Sequence, residues 1–227
     1  MIEPRRPSWM ITPALLLCVF AVLLWQVASH GIVTRLDVHV RDGIQDGATS
    51  AGLHWLIPIG RGCADLGNEA PAILFLLVVG LFCVVRARTW QPLIIMAGAG
   101  LVLASVIPLK IWVGRPGPGT AVLGNANLGF FPSGHTADAM CCYITAAFLL
   151  SAFVWTGPAA RRQLMASALA ILALTIFGLL WSNFHWLSDI LGSLCWCGGW
   201  LLALFRYADR AVSRGRTPAE AETSVGG

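Results

Sequence analysis

The sequence predicts an all-α fold: a polytopic membrane helical bundle of six transmembrane helices with both termini cytoplasmic. Three observations carry that expectation. Of the 227 residues, 57% are apolar and only 11% charged, and the mean hydropathy is +0.73, which places the chain in the membrane class. Six runs come close to the roughly 18 apolar residues needed to cross the hydrocarbon core. The arginines, finally, sort to one side of those runs.

The first span, Met10–Ser29, follows the basic front end "MIEPRRPSWM". It is long for a signal-peptide core and lacks an Ala-x-Ala site, so it reads as a retained helix. An external connector, 30–70, comes next and mixes charges, glycines and short apolar patches, as an interfacial amphipathic helix or re-entrant turn does. Its histidines, His30, His39 and His54, are 9 and 15 residues apart; no metal-ligand pattern has those spacings, so they read as solvated or interfacial.

The second span, Pro71–Val85, is the shortest and borrows from Cys63–Ala70. Pro92–Leu109, Ala137–Trp155, Leu164–Trp181 and Leu187–Phe205 complete the set. One membrane domain, 1–206, is therefore expected, followed by a polar cytoplasmic tail, 207–227, that reads as disordered.

With six alternating spans, Arg5, Arg6, Arg86, Arg88, Arg161, Arg162, Arg206, Arg210, Arg214 and Arg216 share one side, ten of the fifteen cations. By the positive-inside rule that side is cytoplasmic. Arg35, Arg41, Arg61, Lys110 and Arg115 lie on the other. The net charge of +4 records this topology and does not point to nucleic acid. Cys18, Cys83, Cys141, Cys142, Cys195 and Cys197 fall inside apolar spans and behave as small hydrophobes. "CWC" at 195–197 has neither redox nor zinc spacing. The ten tryptophans mostly stand near span ends, as an aromatic belt does.

Three segments share the external side and hold unusual polar residues: "LKIWVGRPGPG" at 109–119, "FPSGHTAD" at 131–138 and "WSNFHWLSDILG" at 181–192. Ionisable groups at membrane depth are expensive and read as functional. Lys110 and Arg115 can hold an anion. Pro132, Ser133 and Gly134 open a helix whose first N–H groups favour phosphate. His185 and Asp189, spaced i,i+4, share a helix face, so the carboxylate can hold one ring nitrogen and free the other to attack. His135 stands apart and can protonate a leaving oxygen. Asp138, one turn along, either hydrogen-bonds that ring or caps the helix. Ser182 and Asn183 can donate neutral hydrogen bonds to a phosphate.

Together these motifs resemble the type-2 phosphatidic acid phosphatase superfamily, whose pattern is Lys-x6-Arg-Pro, Pro-Ser-Gly-His and Ser-Arg-x5-His-x3-Asp. Pro132, Ser133, Gly134 and His135 match the second motif, His185 and Asp189 the third, and Lys110 the first. The family's two arginine positions hold Gly117 and Leu179, the latter preceded by Gly178. Arg115, which stands where many members carry an additional arginine, is the nearest substitute.

The resemblance implies a lipid phosphate or pyrophosphate phosphohydrolase in the cell membrane, with its active site on the extracytoplasmic side and its substrate reached from the outer leaflet. His185 is then the nucleophile that forms a phosphohistidine, Asp189 its orienting carboxylate and His135 the acid and base. Lys110, Arg115, Ser133 and Gly134 hold the phosphate; Ser182, Asn183 and Asp138 support it. No metal and no cofactor are expected. Two alternatives stay open: a catalytically weak or inactive lipid-phosphate-binding membrane protein, and a phosphotransferase. A transporter fits less well, because the polar groups cluster at helix ends and not in broken helices at mid-membrane.

Overall fold

The computed structural model describes residues 10–119 and 128–215, with side chains through Arg210. Arg5, Arg6, Arg216 and the rest of the tail lie outside the described residues, as does the side chain of Arg214. Every regular element among the described residues is helical.

Six stretches are long and apolar enough to cross a membrane: Ile11–Ala28, Glu69–Ala87, Gln91–Val113, Gly134–Phe153, Pro158–Trp181 and Leu187–Arg210. All six overlap the expected spans, and the second begins at Glu69, within the segment it was expected to borrow. The last helix runs on to Gly215, past the boundary at 206 that the polar composition suggested.

In chain order, α1 is Ile11–Ala28, α2 Ile32–Ser50, α3 Ile57–Asp65, α4 Glu69–Ala87, α5 Gln91–Ala104 and α6 Val106–Val113. They are followed by α7 Gly134–Ala139, α8 Thr145–Phe153, α9 Pro158–Trp181 and α10 Leu187–Gly215. The third span breaks between α5 and α6. Pro108 has no N–H to donate to the carbonyl of residue 104, and a proline ring crowds the carbonyl four residues back. Ser105 sits at the break, its Oγ donating to Val102 O at 2.6 Å and accepting from Trp196 Nε1 at 2.8 Å. A π-helical turn, Met140–Ile144, joins α7 to α8.

The fourth span is the centre of the bundle, with 72% of its apolar stretch buried, whereas the first, second, third and fifth bury 17–28% and turn the rest outward to lipid. Small residues make that central position possible: Ala137, Ala139, Cys141, Cys142, Ala146 and Ala147 are all buried. Phe148 stacks on Phe205 of α10 with centroids 4.3 Å apart. On the outside, α1 packs along α10, and Phe20 meets Trp196 at 4.8 Å. Five of the six exposed tryptophans among the described residues, Trp25, Trp55, Trp90, Trp112 and Trp155, stand at or beside helix ends, where amphipathic rings settle at a membrane interface; Trp200 lies within α10.

The connector is built of two helices. Helix α2 is amphipathic and reaches α10, while α3 packs tightly on α9. That second contact needs glycine: a Cβ on Gly178 would collide with the backbone of Gly60 and Ala64. Leu179 beside it is fully buried in a cluster with Ala64 and Ile190. The two positions at which the family pattern places Ser and Arg are thus filled by helix packing, with no room for a guanidinium.

Candidate active site

The α9–α10 turn carries the first candidate pair. Asn183 takes a left-handed conformation (φ 57°), and Phe184 N donates back to Leu179 O at 2.9 Å, so the chain reverses before α10. Asp189 lies in the first turn of α10, where a carboxylate is favoured by the helix dipole. Its Oδ2 accepts from Trp186 N at 3.1 Å and stands 3.2 Å from His185 Nδ1. His185 Nε2 has no protein partner among the described residues.

The second motif docks on the same helix. Ser133 N donates to Asp189 O at 3.0 Å, and Ser193 Oγ donates to Ser133 O at 2.7 Å. These bonds seat the α7 N-terminus beside His185, and the His135 and His185 ring centroids are 6.1 Å apart, edge to face. The peptide bond Phe131-Pro132 is cis. Lys110 Nζ donates to Pro132 O at 3.1 Å and would lie 3.9 Å from a Cβ at Gly134, so its charge stands at the mouth of α7. The three polar segments singled out in the sequence are therefore brought together at one end of the bundle.

Some expected residues take other work. Ser133 is fully buried; its Oγ accepts from Thr136 N at 3.3 Å and from Thr136 Oγ1 at 3.1 Å as the α7 cap. The partner of His135 is Asn68, with Nε2 and Oδ1 3.0 Å apart, and not Asp138. Asn68 Nδ2 donates to Asp65 Oδ1 at 3.1 Å, which turns the amide oxygen to the imidazole. Ser182 Oγ and Asn183 Oδ1 are buried without hydrogen-bond partners among the described residues, and a Cβ on Gly60 of α3 would lie 3.0 Å from Ser182 Oγ. Gly117, at the family's first arginine position, lies against Phe130, whose ring is 5.4 Å from that of His185.

Arg115 reaches the site from behind. Its Nη1 donates to Asp189 Oδ1 at 2.6 Å and to Ser188 Oγ at 2.7 Å, and its Nη2 to Asp37 Oδ2 at 2.6 Å. Asp37, from α2, also accepts from Ser188 N at 2.8 Å and from Ser188 Oγ at 2.6 Å. Sequence reasoning missed Asp37 and Asn68. Asp37 had a readable signal, since it falls between Val33 and Val40 at the i+4 and i+7 positions of one helix face, an odd place for a carboxylate. Asn68 had none beyond its place before α4.

Electrostatics favour a neutral His185. Burial pushes its pKa below the ordinary 6.5, and Lys110 and Arg115 act in the same direction against the Asp189 contact. A neutral imidazole held through Nδ1–H by a carboxylate presents its other nitrogen as a nucleophile. No group of three or more His, Cys, Asp or Glu side chains among the described residues is arranged to hold a metal ion; His30, His39 and His54 do not converge.

The PAP2 superfamily profile matches residues 88–213, more than half of the chain. The chain belongs to the PAP2 superfamily. Within this superfamily it is 24% identical to phosphatidylglycerophosphatase B of Bacillus subtilis (strain 168) over 196 residues, 86% of this chain and 95% of that one. It also shares its fold with the crystal structure of a transmembrane PAP2-type phosphatidylglycerolphosphate phosphatase from Bacillus subtilis. The TM-score is 0.74 at 23% identity, covering 90% of this chain and 99% of the other. The lipid phosphatase family inferred from the three motifs and the six-helix membrane fold are both in agreement with these matches.

Proposed function

We propose that this PAP2 protein is a lipid phosphate phosphohydrolase that works through a phosphohistidine on the extracytoplasmic side of the cell membrane. The observation that carries the reading is His185, fixed by Asp189 at 3.2 Å with its second nitrogen free and the His135 ring beside it. His185 Nε2 attacks phosphorus as the bond to the lipid oxygen breaks, and His135 relays a proton to that oxygen. The neutral His135 then takes a proton from water, whose oxygen displaces His185 and releases inorganic phosphate. Asp189 stabilises the positive imidazole while the phosphoryl group is attached. Lys110 and the first N–H groups of α7 hold the phosphoryl oxygens as charge redistributes. In this scheme Arg115 positions Asp189 and does not grip the phosphate.

Sidedness rests on the arginines: with ten of fifteen cations inside, the end of the bundle that carries His185 faces outward. The names of the Bacillus subtilis matches make phosphatidylglycerophosphate the first lipid to test, with phosphatidic acid beside it. One observation favours a second reading, a lipid-phosphate binder of low turnover: both terminal nitrogens of Arg115 are held by carboxylates, which leaves Lys110 to meet the phosphate charge.

Phosphate release by the full chain in detergent with EDTA, wild type against His185→Ala, separates the two. Metal-independent release that disappears in His185→Ala establishes the hydrolase. Saturable lipid binding without release establishes the binder.

A further inference from the structure

Asp138 is a carboxylate inside the membrane-spanning segment Gly134–Phe153, and the hydrolytic scheme leaves it unused. It is 8% exposed and makes no hydrogen bond or ion pair among the described residues. Desolvating a carboxylate without a partner is costly, and in a membrane segment such groups mark functional positions.

Its surroundings say what it meets. Asp138 lines a cavity of about 650 Å³ together with Lys110, Gly134 and Glu69, a size usual for small-molecule sites. Those four residues belong to the end of the bundle that carries His185. Further along, the wall is apolar, with Met96 and Leu103 of α5 on one side and Leu76 of α4 on the other. Asp138 is one helical turn below Gly134, about 6 Å along the axis. A lipid whose phosphorus sits at Lys110 and the α7 N-terminus therefore lays the carbons next to its phosphoester against Asp138 and its tail along the apolar wall. Lys110 is the only cation among the described residues lining the cavity, so a second phosphate at that depth would face Asp138 and Glu69 uncompensated.

We infer that Asp138, with Glu69 behind it, binds the alcohol side of the substrate. The site takes lipid phosphomonoesters that carry a hydroxyl on the carbon beside the phosphoester, and it discriminates against lipid diphosphates. This rests on the lipid-phosphate reading above and adds the substrate class.

The test uses a matched set on the full chain in detergent: 1-acyl-glycerol 3-phosphate, its 2-deoxy counterpart and farnesyl diphosphate. Phosphate release gives kcat/KM, and tryptophan fluorescence of the His185→Ala protein gives dissociation constants without turnover. One hydrogen bond to a carboxylate predicts that the hydroxylated lipid is favoured about tenfold over the deoxy lipid in both quantities. Asp138→Ala brings that ratio close to one, and Asp138→Asn, which keeps the side-chain shape, raises release from farnesyl diphosphate relative to the monoesters. Equal handling of the matched pair by wild type, or a ratio untouched by Asp138→Ala, overturns the inference. Release from all three lipids without discrimination overturns it while the hydrolase stands. Discrimination in binding with no release from any lipid does the reverse.

Discussion

Asp37 and Arg115, 78 residues apart in sequence, form a buried ion pair of 2.6 Å, and through the other fork of the same guanidinium the connector helix is tied to Asp189. Removing one member of a buried pair leaves an uncompensated charge, at a cost of about 3–5 kcal/mol. Asp37→Ala should therefore lower the thermal unfolding midpoint in detergent by several degrees and reduce phosphate release. Asp37→Glu should recover part of both. A double-mutant cycle with Arg115→Ala should show strong coupling; additive effects would dissolve the linkage.

Asp189 orients His185 and accepts from Arg115, so Asp189→Asn should reduce kcat by at least about 100-fold with a smaller effect on KM. Labelling with a lipid carrying radioactive phosphate should leave an acid-labile, protein-bound label in wild type and none in His185→Ala.

Asn68 holds the His135 ring. Asn68→Ala should lower kcat about 10–100-fold, the range seen when an imidazole loses its orienting partner, while leaving the unfolding midpoint close to that of wild type. A large stability loss with normal activity would assign Asn68 to the α3–α4 turn alone.

The pH dependence follows from His185. Its pKa in the folded protein lies below 6.5, so this imidazole stays neutral at pH 7 and, with His185 as the proposed nucleophile, the acid limb of kcat/KM should fall below pH 6.5. Unfolding restores the ordinary value. The contribution of this group to stability is therefore complete above pH 6.5 and is lost as the pH falls toward the folded-state value. His185→Gln should flatten that part of the stability profile.

Reintroducing the family arginine at Leu179 should not raise activity. Leu179 is fully buried against Ala64 and Ile190, so Leu179→Arg forces an unpaired charge into a packed helix contact and should cost more than about 4 kcal/mol. Size-exclusion profiles of the detergent-solubilised variant are the direct check.

The sequence by itself determined the membrane class, the six spans, the histidines with their carboxylate and the family, because each is written in local terms: an apolar run, an i,i+4 spacing, a contiguous Pro-Ser-Gly-His. Tertiary structure decided how the polar residues divide the work. Arg115 looked like a phosphate ligand in one dimension, but α2 brings Asp37 to it, and a guanidinium 10% exposed between two carboxylates satisfies its charge there. Asn68 in place of Asp138 beside His135 has the same kind of cause. A close approach at Gly67, where a Cβ would lie 2.6 Å from His135 O, brings the α3–α4 turn against α7. Such contacts join segments tens of residues apart and leave no periodic trace in the chain, so only folding reveals which charge meets which.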